Sequence, residues 1–265
     1  MALNKLSRTA FKQANTYKAL TFSTLGILIA AWCLLTYGGA IDKVFLPSPG
    51  AVLLSFVDMY REGVLLPYTL ASIYRVMVGW ALAVVAAVPL GMLIGTSKKA
   101  EALVEPIIDF ARYLPVVALV PLTLLYFGIG DLQKFVIIFL GTFFQLVLMV
   151  SDVVSSVQRD LLRASATLGA SKWQTYHMVL IPASMPGIMD NLRITIGWAW
   201  TYLVVAELVA ANSGLGYMVL RAQRFLATDR IFAGLIIIGL VGLGTDYLFK
   251  WLTKIIVPWR EKVGG

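Results

Sequence analysis

Charged side chains are scarce in this chain of 265 residues. Only 14% of the residues are Asp, Glu, Lys or Arg, against roughly 25% in soluble domains. Hydrophobic residues make up 59%. A soluble protein of this length needs a mostly polar exterior, which this composition does not supply. We therefore expect lipid to be the solvent around much of the surface.

Cysteine and histidine are almost absent, which excludes several kinds of site. The one cysteine, Cys33, lies in an apolar run, so neither a disulfide framework nor a thiolate metal site is expected. The one histidine, His177, lies in a long polar loop, so an intramembrane protease would lack a buried Ser–His pair. A lipid transferase would need a carboxylate cluster, and none is visible. We expect no catalytic residue, no metal and no cofactor in this chain.

Long apolar runs predict an all-α membrane protein. A bilayer span needs about 20 apolar residues, and its backbone must satisfy its own hydrogen bonds. The predicted spans are residues 19–37, 68–95, 104–126, 133–153, 189–210 and 231–256. The first is too long for a signal peptide, whose apolar core has about 7–15 residues, and predicts an uncleaved anchor. Prolines in the third span, at 106, 115 and 121, predict a bend.

The net charge of +8 is explained by orientation, because cytoplasmic loops of membrane proteins are rich in Lys and Arg. If the N-terminus is cytoplasmic, twelve basic residues fall on the inner side and six on the outer side. The inner set is Lys5, Arg8, Lys12, Lys18, Lys98, Lys99, Arg159, Arg163, Lys172, Lys254, Arg260 and Lys262. The outer set is Lys43, Arg61, Lys134, Arg221, Arg224 and Arg230. Both termini are thus predicted to be cytoplasmic, with residues 1–18 as a cytoplasmic segment and 19–265 as a single transmembrane domain.

The predicted inner loop at residues 154–188 is long but has the pattern of two short helices. The first covers 157–168 and ends at Gly169. The second is capped by Ser171, carries Trp173 on its apolar side and is expected to stop at Pro182. We call this segment the knob. It is either a compact unit that contacts another protein or a simple connection between two spans.

On the outer side, residues 45–63 predict a surface helix, with Ser48 as its cap and Gly63 at its end. Val52, Phe56, Met59 and Tyr60 form one apolar stripe. The stripe could lie in the membrane interface or pack on the helix ends, and the sequence leaves both open.

Ionisable residues inside spans are costly and need partners. Helical spacing predicts the local pairs Asp109–Arg112, Asp190–Arg193 and Asp246–Lys250. Arg75 and Glu207 have no such local partner. They either pair with each other across helices, or Arg75 faces a pathway and attracts an anion.

Several motifs in the chain resemble those of binding-protein-dependent ABC importer permeases. Arg163-Ala164-Ser165, Gly169 and Val179-Leu180-Ile181-Pro182 match the spacing of that family's Glu-Ala-Ala loop. Further segments resemble the nitrate, sulfonate, taurine and bicarbonate branch. They are Phe45-Leu46-Pro47-Ser48-Pro49, Ser72-Ile73-Tyr74-Arg75-Val76, Pro89-Leu90-Gly91, Pro121-Leu122, Phe127-Gly128-Ile129-Gly130, Ala206-Glu207-Leu208 and Ser213-Gly214-Leu215-Gly216.

The resemblance implies a type I importer fold and a set of partners. The knob would dock on a cytoplasmic ABC ATPase, which binds the ATP and Mg²⁺, since this chain has no phosphate loop. A periplasmic or lipid-anchored binding protein would deliver the substrate, and a second permease, expected to be an identical copy, would complete the pore. Lipid surrounds the assembly and nucleic acid plays no part. The assembly would lie in the bacterial cytoplasmic membrane.

The same resemblance implies two sets of functional residues. The ATPase-coupling residues would be Arg163, Ala164, Ser165, Leu168, Gly169, Ala170, Trp173 and Pro182. Arg163 departs from the family's glutamate, so that residue's contact with the ATPase is not carried over. The substrate pathway would include Arg75, Trp198, Trp200, Thr201 and Glu207.

The carried solute would be a small anion, such as taurine, another sulfonate, nitrate, bicarbonate or cyanate, although close relatives carry uncharged pyrimidine precursors. A secondary transporter or passive channel is the alternative class. Internal inverted repeats would support it, and the sequence shows none.

Overall fold

A computed structural model describes the backbone of residues 2–260 and the side chains of residues 19–260. The predicted basic residues of segment 1–18, and Lys262, lie outside the described side chains. Every regular element in the described part is helical. The helices are α1 (Ala2–Tyr37), α2 (Pro49–Arg61), α3 (Leu65–Thr96), α4 (Lys98–Arg112), α5 (Val116–Phe127), α6 (Asp131–Ser155), α7 (Arg159–Thr167), α8 (Lys172–Thr175), α9 (Ile181–Ala210), α10 (Leu215–Arg224) and α11 (Thr228–Ile256).

Five stretches of the described residues are long and apolar enough to cross a membrane, and α4 with α5 makes a sixth if the bent pair is one span. This confirms the predicted all-α architecture with six or so spans. The knob, formed by α7, α8 and their connections, lies at one end of the bundle, which we call the knob end. Helices α2 and α10 lie at the opposite end.

The third predicted span, 104–126, is not one helix. It is two, beginning at Lys98, and they meet at an angle of 93°. Of the three prolines, Pro115 stands at the break, directly before α5, whereas Pro106 and Pro121 lie inside helices. Proline disfavours the helical conformation of the residue before it, which explains why the chain turns at Leu114. We call this bend the elbow.

Helices α3, α6 and α9 form the centre of the bundle, and α3 packs along much of α6. Glycines allow that approach. A Cβ on Gly91 would lie 2.6 Å from the Val147 carbonyl oxygen, and one on Gly95 would lie 2.7 Å from that of Ser151. Small residues at such positions let membrane helices contact along their backbones. The Pro89-Leu90-Gly91 motif is thus part of the α3–α6 contact.

Helix α1 is exposed along most of its apolar length, as expected for a helix facing lipid. It contacts the rest of the protein near its end, where the Trp32 indole N–H donates to the Pro47 carbonyl (2.9 Å) and its ring stacks on Phe232. Helix α2 packs on the helix ends through Val52 and Met59, while Tyr60 is exposed. The second of the two alternatives for this segment is therefore observed.

Candidate functional site

The knob is a compact helical pair, as predicted. Gly169 joins its two halves with φ +80°, a left-handed conformation that favours glycine. Ser171 begins α8 in a reciprocal cap: its hydroxyl accepts from the Gln174 N–H (3.3 Å), and the Gln174 side-chain oxygen accepts from the Ser171 N–H (2.8 Å). The cap fixes the direction in which the chain leaves the glycine.

The predicted stop at Pro182 is wrong. The chain continues from α8 through a π-helical turn, Tyr176–Leu180, directly into α9. The Ile181 N–H donates to the Tyr176 carbonyl, five residues back. This wider turn accommodates a proline at the beginning of α9, where its missing N–H and its ring would otherwise disrupt a regular helix. The Pro182 carbonyl instead accepts from the Trp259 indole N–H (3.2 Å).

The knob is also held firmly to the bundle. Only residues 156–158 separate α6 from α7, and Leu180 is buried in the cluster formed by α3, α6 and α9. Arg260, after α11, donates two hydrogen bonds to Asp190 of α9, at 2.9 and 2.8 Å, and so ties the helix that continues from the knob to the chain beyond α11. The knob therefore has little freedom to move without the helices attached to it.

The predicted coupling residues divide into an interior and a surface group. Ser165 belongs to the interior: it is buried, donates to the Leu162 carbonyl (2.8 Å) and lies 3.0 Å from the Thr175 hydroxyl, so it joins α7 to α8. Ala170 and Pro182 are half-buried. The surface group comprises Arg163, Ala164, Leu168, Gly169 and Trp173.

Large apolar side chains project from this surface. Leu168 is 88% exposed and Trp173 is 72% exposed. Met178, which lies five residues after Trp173 and was not predicted from the sequence, is 74% exposed. An apolar surface of this kind, rimmed by polar residues, is typical of a protein contact. Arg163 pairs with Asp160 (3.3 Å) on the same exposed face of α7. The arginine that replaces the family's glutamate therefore has a partner within its own helix.

At the opposite end of the bundle lies a cluster that we call the polar clamp: Ser72, Arg75, Asp131, Glu207 and Ser213. The Arg75 guanidinium donates to Asp131 (2.7 Å), to Glu207 (2.7 Å) and to both the carbonyl and hydroxyl oxygens of Ser213 (2.6 and 2.9 Å). Every nitrogen of the guanidinium thus has an acceptor. The cross-helix ion pair, one of the two roles held open for Arg75, is present.

Glu207 is fully buried, and each of its neighbours donates to it. Besides Arg75, the Ser72 hydroxyl (2.9 Å) and the Gly216 N–H (2.8 Å) donate to its carboxylate. Ser72 in turn accepts from the Leu215 N–H (2.8 Å). A buried carboxylate is tolerated when it is paired and hydrogen-bonded in this way.

Two glycines make room for that carboxylate. A Cβ on Gly214, whose φ is +115°, would lie 2.2 Å from a Glu207 carboxylate oxygen. A Cβ on Gly216 would lie 2.8 Å from the Glu207 Cβ. The motifs around Ser72, Glu207 and Gly214 are far apart in the sequence, and they meet here in one interlocked cluster.

Lys134 was counted as an outer-loop residue, but it is 2% exposed and lies in α6. Its ammonium donates to the carbonyls of Ala210 (2.5 Å) and Gly130 (2.9 Å). Ala210 is the last residue of α9, where unpaired carbonyls and the helix dipole favour a cation. Without Lys134, twelve basic residues are assigned to the inner side and five to the outer side, which still favours cytoplasmic termini.

The other predicted pathway residues have different surroundings. Trp198 is partly exposed and Thr201 is exposed. Trp200 is buried in the core with Val76 and Trp80 and does not lie on an open surface. Glu207 is enclosed in the polar clamp. Only Trp198 and Thr201 are therefore placed where a solute could contact them in this conformation.

Two of the three local ion pairs are confirmed, Asp109–Arg112 (2.9 Å) and Asp246–Lys250 (2.8 Å). The predicted Asp190–Arg193 pair is wrong. Arg193 pairs with Asp246 on α11, and Asp190 pairs with Arg260. A residue on the facing helix α11 and one just after its end replace the partner one turn away.

Residues 87–262 match the family described as binding-protein-dependent transport system inner membrane component. The taurine transport system permease protein TauC of Escherichia coli K12 is 34% identical over 92% of this chain and 90% of its own length. The putative aliphatic sulfonates transport permease protein SsuC of Bacillus subtilis 168 is 33% identical over 90% of this chain and 87% of its own.

The fold is also that of a solved importer. A chain of the inward-facing MetNI methionine ABC transporter superimposes with a TM-score of 0.64 at 22% identity, covering 75% of this chain and 96% of that one. The bundle of membrane-spanning helices agrees with both comparisons. This chain therefore belongs to the binding-protein-dependent transport system inner membrane component family, as a permease subunit of an ABC importer whose ATPase is a separate chain.

Proposed function

We propose that this permease carries a small sulfonate-type anion into the cytoplasm, driven by an ATPase that grips the knob. The rigid attachment of the knob to α6 and α9 is the observation that carries the mechanical part. The names of the taurine and aliphatic-sulfonate relatives, which align over about nine-tenths of the chain, support the choice of substrate class.

In this proposal the knob faces the cytoplasm, and its exposed surface enters a cleft of the ATPase. Ala164, Gly169 and Ala170 allow a close approach because their side chains are small. Leu168 and Trp173 would then bury their exposed apolar surface, which is worth about 25 cal/mol for each Å² removed from water. ATP and Mg²⁺ would bind the ATPase alone.

A binding protein would deliver the anion at the opposite end, next to α2 and α10, and a second copy of this chain would complete the pore. The polar clamp would hold α3, α6 and α9 together there. In this assignment the clamp is structural, since Asp131, Glu207 and Ser213 accept from all three nitrogens of the Arg75 guanidinium.

The test uses the permease co-expressed with its ATPase and binding protein. Calorimetry of the binding protein with taurine, ethanesulfonate, nitrate, bicarbonate, cyanate and a neutral aminopyrimidine identifies the substrate class. We expect binding of the sulfonates, and uptake of the same compounds into proteoliposomes only when ATP reaches the ATPase. Binding of the neutral pyrimidine alone would contradict the substrate class. Solute movement by the purified permease without an ATPase would contradict the transport mechanism.

A further inference from the structure

A half-open cavity lies beside the elbow, away from both the knob surface and the polar clamp. Its volume is about 440 Å³, within the range of small-molecule sites. It lies between the elbow, α6 and α9, and its walls include Val117, Leu140 and Phe144. Polar lining comes from Arg112, Tyr113, Gln145, Trp198 and Tyr202.

The cavity lies near the middle of the membrane-spanning helices. Gln145 is 14 residues after the beginning of α6 and 10 before its end, about 21 and 15 Å along the axis. Trp198 is 17 residues into α9 and 12 before its end, about 25 and 18 Å. Polar groups at this depth are costly unless they have partners or face a polar cavity.

Three of these polar side chains, those of Gln145, Trp198 and Tyr202, make no hydrogen bond in the part of the chain that the structure describes. Arg112 donates from Nε to Asp109 (2.9 Å) and from one η nitrogen to the Tyr113 hydroxyl (3.1 Å), and its guanidinium lies over the Tyr113 ring, 4.6 Å from the centroid. Its other η nitrogen makes no hydrogen bond to any residue that the structure describes. The indole and guanidinium groups only donate, and the phenol and amide can donate as well.

The placement of Tyr202 depends on a close contact. Its ring lies against Gly141, where a Cβ would be 2.4 Å from a ring carbon. Any larger residue at this position would push the ring towards the cavity or out of place. Gly141 thus keeps both the ring orientation and the cavity volume.

We infer that the elbow cavity is a transient binding site for an oxyanion on a short apolar stem, the chemistry of a small alkanesulfonate. Four donors surround the space and match the several acceptor oxygens of such a group, while the aliphatic and aromatic walls accommodate the stem. Arg112 is paired with Asp109, but one of its η nitrogens makes no hydrogen bond in the described part of the chain, whereas all three guanidinium nitrogens of Arg75 have acceptors. This inference rests on the proposed function, because it places the substrate of that transporter at one point of its pathway.

The experiment measures charge selectivity in the cavity with two thiol reagents of similar size. One is the anionic sulfonatoethyl methanethiosulfonate and the other its cationic trimethylammonium analogue. Val117→Cys, or Leu140→Cys if the first variant does not fold, is introduced with Cys33→Ser into the full chain assembled with its ATPase in nanodiscs. Both the nucleotide-free and the vanadate-trapped states are labelled.

We expect the anionic reagent to react about tenfold faster than the cationic one in at least one state, because Arg112 lies in the same cavity wall. Arg112→Gln should remove the preference, and taurine should slow the anionic labelling. Val85→Cys, on an exposed part of α3, is the control and should react with neither reagent. Absence of labelling at both cavity positions, or equal rates for the two charges, would overturn the inference. Loss of the ATPase complex would instead count against the proposed function, and the two failures are therefore distinguishable.

Discussion

Arg75 on α3 and Glu207 on α9 lie 132 positions apart in the sequence, and their side chains meet at 2.7 Å in the buried end of the bundle. The pair does more than neutralise two charges. Through Ser213 and Gly216 it also fixes the loop between α9 and α10. A cluster of this kind makes three spans and one loop into a single structural unit.

Glu207→Ala should strongly destabilise the protein, because it leaves the Arg75 charge buried with one partner fewer. Breaking a buried pair costs about 3–5 kcal/mol. The melting temperature of the solubilised permease is measured by size-exclusion chromatography of samples heated to increasing temperatures. Glu62→Ala is the control, since Glu62 pairs with Arg230 (2.5 Å) where both side chains are partly exposed, and such pairs contribute about 0–1 kcal/mol. Equal melting shifts for the two variants would refute the structural role of the clamp.

Gly214→Ala should be more damaging than Gly63→Ala. Both glycines have positive φ, +115° and +70°, so an alanine is strained at either position. Gly214, with ψ 168°, lies in a region populated essentially only by glycine, which adds to its strain. Only at Gly214 would the added Cβ also collide with the Glu207 carboxylate, whereas nothing lies within 4 Å at Gly63. The yield of monodisperse protein and its melting temperature provide the comparison. A Gly63→Ala variant as unstable as Gly214→Ala would contradict the collision with the Glu207 carboxylate.

Trp173→Ala should weaken binding of the ATPase without unfolding the knob. The indole is mostly exposed, so its removal costs the isolated permease little, whereas a buried tryptophan in an interface often contributes 2 kcal/mol or more. We expect at least about a tenfold loss of affinity in a titration of the purified permease with ATPase. Trp251→Ala, a similarly exposed tryptophan on α11, is the matched control and should bind normally. Unchanged affinity for Trp173→Ala would remove this residue from the docking surface.

Gly169→Leu should uncouple ATP hydrolysis from solute uptake. A Cβ added at this position has no atom within 4 Å, but the backbone has φ +80°. The substitution therefore adds bulk to the exposed surface and strains the turn, by about 1–2 kcal/mol. We expect the protein to remain in the membrane while uptake per ATP falls several-fold, measured in proteoliposomes. Normal uptake with leucine here would reject the assignment of the knob as the coupling element.

The helices and the knob could be predicted because their signals are local. Apolar run length indicates spans, Ser171 and Gly169 mark helix ends, and spacing identifies pairs such as Asp109 with Arg112. What could not be predicted depends on helices that are distant in the sequence. Arg193 prefers Asp246 on α11 to Asp190 one turn away, and the third partner of the clamp, Asp131, lies 56 positions from Arg75.

The elbow and the helix that continues through Pro182 show how far proline positions can predict helix ends. The third span has three prolines, yet only Pro115 coincides with a break. Pro182 looked like the end of a helix, but a π turn before it lets the helix continue. Proline removes a donor in every case, and the surrounding packing decides whether the chain turns or adapts.

From Lys172 to Ala210 the chain is an unbroken helical stretch of 39 residues, about 58 Å long. One tip belongs to the surface proposed to meet the ATPase, and the other is gripped by Lys134. Because a helix is stiff along its axis, a displacement at one end of this stretch would be transmitted to the residues that hold its other end. The π turn and Pro186 both interrupt the regular hydrogen bonding of this stretch, so in the proposed mechanism their stiffness would set how much of an ATPase movement reaches the end held by Lys134.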